Sequence, residues 1–210
     1  MIYFYSGTPG SGKSYHVAKD IYFQLNRGKN VIANFDINYD LITSKKKGFF
    51  FYKDNFDLKV DWLLDFSRLC HRRDKRGKII EGQTWLVIDE CQLIFNCRSW
   101  NDRSRQQWAN FFTQHRKYGY HIILISQFDR LIDRQIRSLI EYEYRHRKIN
   151  NFGTVGFFLG LLSLGHPLFV SVEYWYGVKE KCGVSFFYGR KKYYHMYDSY
   201  KLFDEGPQGG

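Results

Sequence analysis

Over the first two-thirds of the chain, short apolar runs alternate with stretches in which apolar residues recur every third or fourth position. "IYFYS" (2–6), "NVIANF" (30–35), "GFFFY" (48–52), "TWLVIDE" (84–90) and "HIILISQ" (121–127) have the length and the β-branched or aromatic content of buried strands. Between them, residues 13–28 set Val17, Ile21 and Leu25 on one helical face and stop at Gly28. Residues 59–73 align Trp62, Leu63, Phe66 and Leu69, and residues 102–119 turn Trp108, Phe111 and Phe112 inward before Gly119. Strands alternating with helices require crossover connections. The expected fold is therefore α/β, a mainly parallel sheet covered by helices on both faces.

The pattern changes near residue 140. "EYEYRHRKI" (141–149), "LFVSVEYW" (168–175) and "VSFFYG" (184–189) read as strands joined by glycine-bearing turns, which predicts a C-terminal antiparallel β extension of the same sheet. The expected organisation is a core over 1–140, the extension over 141–203 and a flexible tail over 204–210. Residues 152–172 form the most apolar stretch, but His166 and Pro167 interrupt it well short of the ~20 residues that span a bilayer. It is expected to be a buried, glycine-rich turn or hairpin.

Chemistry enters at the first strand–helix junction. Gly7-Thr8-Pro9-Gly10-Ser11-Gly12-Lys13-Ser14 matches G-x-x-x-x-G-K-[ST] in full, between a predicted strand and a predicted helix. In such a loop the glycines let successive N–H groups converge on phosphate oxygens, and the following helix adds the positive end of its dipole. The expected nucleotide-binding set is thus Gly7, Thr8, Pro9, Gly10, Ser11, Gly12, Lys13, Ser14 and Tyr15, with a nucleoside triphosphate as ligand. Lys13 would reach the β- and γ-phosphates and Ser14 would offer its hydroxyl to Mg²⁺.

Two acids end the fourth strand, Asp89 and Glu90. Asp89 suits the Mg²⁺ ion, and Glu90 suits activation of the attacking water. Gln127 closes the strand "HIILISQ", where it would bond the γ-phosphate or that water if this strand neighbours the loop strand; Ser126 is the nearby substitute. A hydrolase of this type also needs an arginine on the departing phosphoryl. Arg98 and Arg103 come first because they follow Glu90 most closely, with Arg105, Arg116, Arg130, Arg134 and Arg137 behind them. A small-molecule kinase would use the same loop, but Glu90 placed for water fits hydrolysis better.

Composition narrows the partners. The 210 residues carry 32 Lys and Arg against 21 Asp and Glu, a net charge of +11, which favours nucleic acid or an acidic membrane face. The excess gathers in short runs, among them "HRRDKRGK" at 71–78, "RHRK" at 145–148 and "GRKKYYH" at 189–195. Four cysteines without a metal-ligand spacing read as reduced thiols, and a first strand beginning at residue 2 leaves no place for a secretory leader, so the nucleotide-binding part is expected in the cytoplasm.

Taken with "GTPGSGKS", the stretches "WLVIDECQ", "HRKYGYHIILISQ" and "IDRQIRSLIEYEYR" resemble the Zonular occludens toxin (Zot) family, which includes the gene I assembly proteins of filamentous phages. The resemblance runs from residue 1 to about 200. It implies an ATPase of the FtsK/HerA-like motor type that drives assembly and extrusion of a single-stranded DNA virion. It also implies a ring, a hexamer with ATP between subunits, at the cytoplasmic face of the host inner membrane beside phage coat and assembly proteins. In that family's pattern Lys13, Ser14, Asp89, Glu90 and Gln127 fall on nucleotide-handling positions. Members commonly carry a membrane-spanning segment and an outer domain after this region, so the 210 residues are expected to be either a truncated cytoplasmic domain or a chain whose membrane anchor lies elsewhere. An ATP-dependent docking module for capsid or pore proteins, with little mechanical role, is the alternative.

Overall fold

The computed structural model describes residues 1–95, 102–149 and 167–197. Its strands are β1 (Ile2–Ser6), β2 (Asn30–Ala33), β3 (Phe50–Tyr52), β4 (Thr84–Ile88), β5 (Tyr120–Ile125), β6 (Tyr142–Lys148), β7 (Leu168–Trp175) and β8 (Glu180–Tyr188). They make one sheet in the order β3-β2-β4-β5-β1-β6-β7-β8. Every pair from β3 to β6 is parallel, whereas β6–β7 and β7–β8 are antiparallel. This is the mainly parallel α/β sheet with a C-terminal antiparallel extension expected from the strand–helix alternation. β6 forms the seam: it pairs parallel with β1 along Tyr3–Ser6 and antiparallel with β7.

Strict alternation along the central strands builds the two cores. On one face Ile2 and Phe4, Ile32, Leu86 and Ile88, and Ile122 and Leu124 pack with Leu63 and Phe66 of helix α2 (Val60–Cys70). Trp108, Phe111 and Phe112 of α3 (Asp102–Gln114) and Ile136 of α4 (Arg134–Arg137) complete that layer. On the other face Tyr5, Val31 and Ala33, Val87, and Ile123 and Ile125 meet Val17, Ala18, Ile21 and Leu25 of α1 (Lys13–Asn26). One layer of helix on each side hides both faces of the parallel strands, as such a sheet requires.

Two readings of the amphipathic pattern are corrected. Leu69 is 85% exposed, because the inward stripe of α2 runs through Val60, Leu63, Phe66 and Ser67 and leaves residue 69 on the opposite side. α3 ends at Gln114 rather than at Gly119, and the chain reaches β5 through tight turns in which Tyr120 N–H donates to the His115 carbonyl. The apolar stretch 152–172 lies outside the described residues up to 166, as does the tail 204–210; no helix among the described residues is long and apolar enough to cross a membrane.

Candidate functional site

β1 delivers the chain to the loop and α1 carries it away, so Gly7–Gly12 curls over the carboxyl end of the sheet. Two glycines are forced by close approach as well as by backbone angle. Gly7 (φ +143°) leaves no room for a side chain, since a Cβ would lie 2.6 Å from the His146 carbonyl oxygen. Gly12 (φ +94°) would press a Cβ to 2.6 Å from the Phe169 ring. The loop is thus backed by β6 and β7, and its open side faces outward: Thr8, Pro9 and Gly10 are exposed. Ser11 Oγ is buried without a hydrogen-bond partner among the described residues.

Lys13 Nζ folds back into the mouth of this loop and donates to the carbonyls of Gly7 (2.5 Å) and Thr8 (3.1 Å). Burial lowers its pKa, and the negative charges of Asp89 and Glu90 oppose that shift. Ser14 is half-buried on the first turn of α1. Tyr15 has its side chain turned away among Phe169, Phe187, Tyr193 and Tyr194, with its hydroxyl donating to the Tyr188 carbonyl, which leaves its backbone N–H at the helix start.

Asp89 and Glu90 follow β4 directly. Asn34, just past β2, holds the Asp89 peptide from both sides: Asp89 N–H donates to Asn34 Oδ1 (2.7 Å) and Asn34 Nδ2 donates to the Asp89 carbonyl (2.8 Å). The carboxylate is held too, Oδ1 by the Glu90 N–H (2.8 Å) and Oδ2 by the Tyr197 hydroxyl (2.5 Å). Burial raises the Asp89 pKa, while those hydrogen bonds and Lys13 draw it back. Glu90 sits in the left-handed region (φ 44°), a conformation that costs a non-glycine residue about 1 kcal/mol or more, and Gln92 Nε2 donates to its Oε2. Ser14 and Asp89 supply hydroxyl and carboxylate oxygens, the hard donors that Mg²⁺ takes, so the residues present fit that ion.

β5 lies between β1 and β4, which puts Gln127 between the lysine loop and the two acids, the adjacency that the sequence reading required. Ser126 is fully buried and its hydroxyl is turned to the Phe128 carbonyl, so Gln127 is the residue left to face outward. A cleft of about 640 Å³ opens there, with Ser6, Gly7 and Thr8 at its floor, Gln127 and Asp129 on one wall, and Glu143, Arg145, Arg147 and Lys148 on the other. The basic run of β6 therefore borders the phosphate loop. Both of its arginines are exposed; Arg145 is held by Glu143 (2.9 Å) and lies over the Tyr174 ring.

Of the arginines considered, Arg98 lies outside the described residues and Arg103 is exposed on the first turn of α3. Arg116 pairs with Glu141, whose backbone N–H donates to Ile2 O at the amino end of β1, so it lies at the opposite end of the sheet from the phosphate loop. Arg105 faces Asp133 at 3.6 Å.

Pattern reading missed the polar chain behind the loop. His146 Nδ1 donates to the Ser6 carbonyl (3.2 Å), its Nε2 meets His16 Nδ1 (2.8 Å), His16 Nε2 faces Asp20 (3.8 Å), and Asp20 accepts from Tyr5 (2.6 Å). Burial lowers both imidazole pKa values to about 3 and raises that of Asp20 to about 6, so near neutrality both imidazoles are uncharged while Asp20 at the end of the chain is mostly ionised, and the histidine pair ties α1 to β6 without carrying charge.

The sequence pattern of the family described as "Zonular occludens toxin (Zot)" covers residues 1–201. The Gene 1 protein of Enterobacteria phage fd is 30% identical over 140 residues, 66% of this chain and 39% of that protein, so the chain spans about two-fifths of such relatives. Among solved structures, the N-terminal domain of zonular occludens toxin from Neisseria meningitidis superposes with a TM-score of 0.55 at 17% identity, covering 94% of this chain and 98% of that one. The genome packaging NTPase B204 from Sulfolobus turreted icosahedral virus 2, in complex with AMPPCP, gives 0.52 at 17% identity over 88% and 95% of the two chains. These two likenesses establish the fold.

Proposed function

This chain belongs to the Zot family, and from that premise we propose that it is a Mg²⁺-dependent ATPase of the FtsK/HerA-like motor type, serving assembly and extrusion of a filamentous phage. One observation carries the reading: the ends of β1, β5 and β4 bring Lys13, Gln127 and the Asp89–Glu90 pair to one side of the sheet. Lys13 gives up its two carbonyl partners in the loop for the β- and γ-phosphates, where its charge is worth more than against neutral oxygens. Ser14 and Asp89 hold the ion, which when bound neutralises phosphate charge. Glu90 accepts a proton from the attacking water and Gln127 orients that water. The exposed Thr8–Gly10 face and the cleft beside it leave the γ-phosphate side open to an arginine from a neighbouring subunit, with Arg98 and Arg103 as the two to test. A ring, a hexamer with ATP between subunits, would bring such an arginine there.

The phage Gene 1 relatives and the surplus of basic residues support coat and assembly proteins, single-stranded DNA and the cytoplasmic face of the host inner membrane as surroundings. Purified protein is expected to release phosphate from ATP only with Mg²⁺, faster when assembled or given DNA; Glu90→Gln should bind ATP and not turn it over. Turnover that survives Glu90→Gln would remove the hydrolytic reading. A docking role is the second reading, favoured by the edge strand β8, which exposes Val184, Phe186 and Tyr188 on one side. Virion release that persists in Glu90→Gln would select it.

A further inference from the structure

The segment after β8 passes from the phosphate loop to the acids. Tyr15 OH accepts from the Arg190 N–H, one helical turn (Lys191–Tyr194) packs on α1 through Tyr193, and Asn38 N–H donates to the Met196 carbonyl. Tyr197 then lies buried with its ring 4.1 Å from that of Phe35 and its hydroxyl on Asp89 Oδ2. Hence the hand on the metal-side carboxylate comes from more than a hundred residues further along the chain, and from none of the recognised nucleotide motifs.

We propose that Tyr197 is a positioning residue for Asp89: it fixes the carboxylate rotamer that receives the Mg²⁺ of bound nucleotide, and so makes the Arg190–Tyr197 segment responsive to metal-bound ATP. The inference rests on the ATPase reading above. Glu90 N–H and the Tyr197 hydroxyl each take one lone-pair site on a different oxygen of Asp89. A carboxylate offers about four such sites, so the remaining ones stay available at a fixed orientation. Without the hydroxyl, Oδ2 loses its only partner from outside the acidic turn among the hydrogen bonds described, and the carboxylate is free to rotate. Linkage makes the effect reciprocal: if Tyr197 helps Asp89 meet the ion, then the ion must tighten the hold on Tyr197 and the segment that carries it.

The test uses the full chain and Tyr197→Phe, which keeps the ring against Phe35. ATP affinity is measured by calorimetry with Mg²⁺ and again with EDTA. The expected result is an affinity within about twofold of wild type in EDTA and a gain from Mg²⁺ that is about tenfold smaller in the variant, the size of one lost hydrogen bond to a charged group. The exposed Arg190, Lys191 and Lys192 supply a second readout. Trypsin cleavage there should slow when Mg²⁺ and AMPPCP bind the wild type, and should not slow in Tyr197→Phe. Equal Mg²⁺ gains, or a larger gain in the variant, overturn the positioning role; a variant that melts early without nucleotide but keeps the wild-type Mg²⁺ gain does the same. Failure of the wild type to bind ATP under either condition would instead overturn the ATPase reading, and this inference with it.

Discussion

Asn34 offers the sharpest mutational probe of the acidic turn, because it touches the backbone of Asp89 and none of the phosphate-loop residues in the hydrogen bonds described. It is nine-tenths buried, and its amide satisfies both the N–H and the carbonyl of Asp89 besides reaching Asn55 Oδ1 at 2.8 Å. Asn34→Ala removes donor and acceptor together. Asn55 is exposed and water replaces its lost partner, so its share is small. The two orphaned groups of the Asp89 peptide are buried, and each such group costs about 1–3 kcal/mol. Partial rescue by water in the space left behind puts the expected loss at about 2–4 kcal/mol. Asn34→Asp separates the two bonds: it keeps an acceptor for the Asp89 N–H but sets a carboxylate oxygen against the Asp89 carbonyl, so it should not recover the stability of wild type. Urea unfolding measures both, as a fall in midpoint with unchanged slope. A loss below about 0.5 kcal/mol for Asn34→Ala, the range of an ordinary surface change, would refute the reasoning. So would an Asn34→Asp variant as stable as wild type.

Glu90→Gly should gain about 1 kcal/mol of stability, since glycine adopts the φ 44° conformation without strain, while losing ATP turnover; a melting temperature that fails to rise would show that the turn carries no strain. Acid should destabilise the fold. The His16 and His146 pKa values are lowered by burial to about 3, so the unfolded chain takes up those protons first, and their contribution, complete above about pH 6.5, is lost as pH falls toward 3. His115 and His121, lowered to about 4, act in the same sense. Asp20, raised to about 6, acts oppositely, its contribution being complete below about pH 3.8 and lost as pH rises through 6, but it is one group against four. Thermal melts at pH 7 and pH 5 should therefore separate more for wild type than for a His16→Gln/His146→Gln variant, and an equal separation would contradict the buried neutral pair.

What was legible in the sequence was local. The loop motif and the acids at a strand end are contiguous, and the strict alternation of residues such as Phe4 and Tyr5, or Val87 and Ile88, assigns each to one face without knowledge of the partner strand. Val17, Ile21 and Leu25 were readable for the same reason. The rest depends on residues distant in sequence meeting in space. Nothing near Asn34 or Tyr197 marks either as a partner of Asp89, and the His16–His146 contact bridges 130 positions. β6 carries a charged residue or histidine at five of its seven positions and looks like an edge strand, yet β1 recruits it into the parallel sheet; its direction is set by the connection from α4, which no residue pattern displays. Leu69 misled because hydrophobicity alone does not say where the buried stripe of a helix ends.

The central claim is that the Gly7–Ser14 loop and the Asp89–Glu90 pair form one magnesium–nucleotide site. Calorimetric titration of ATP into wild type and Lys13→Ala, each with Mg²⁺ and folded by circular dichroism, tests it most directly. The account predicts saturable, Mg²⁺-strengthened uptake by wild type and a loss of at least about tenfold in affinity for Lys13→Ala, the least expected for removing a charge-assisted contact to phosphate. Equal affinity in the two proteins, or none in wild type at millimolar ATP, would contradict it.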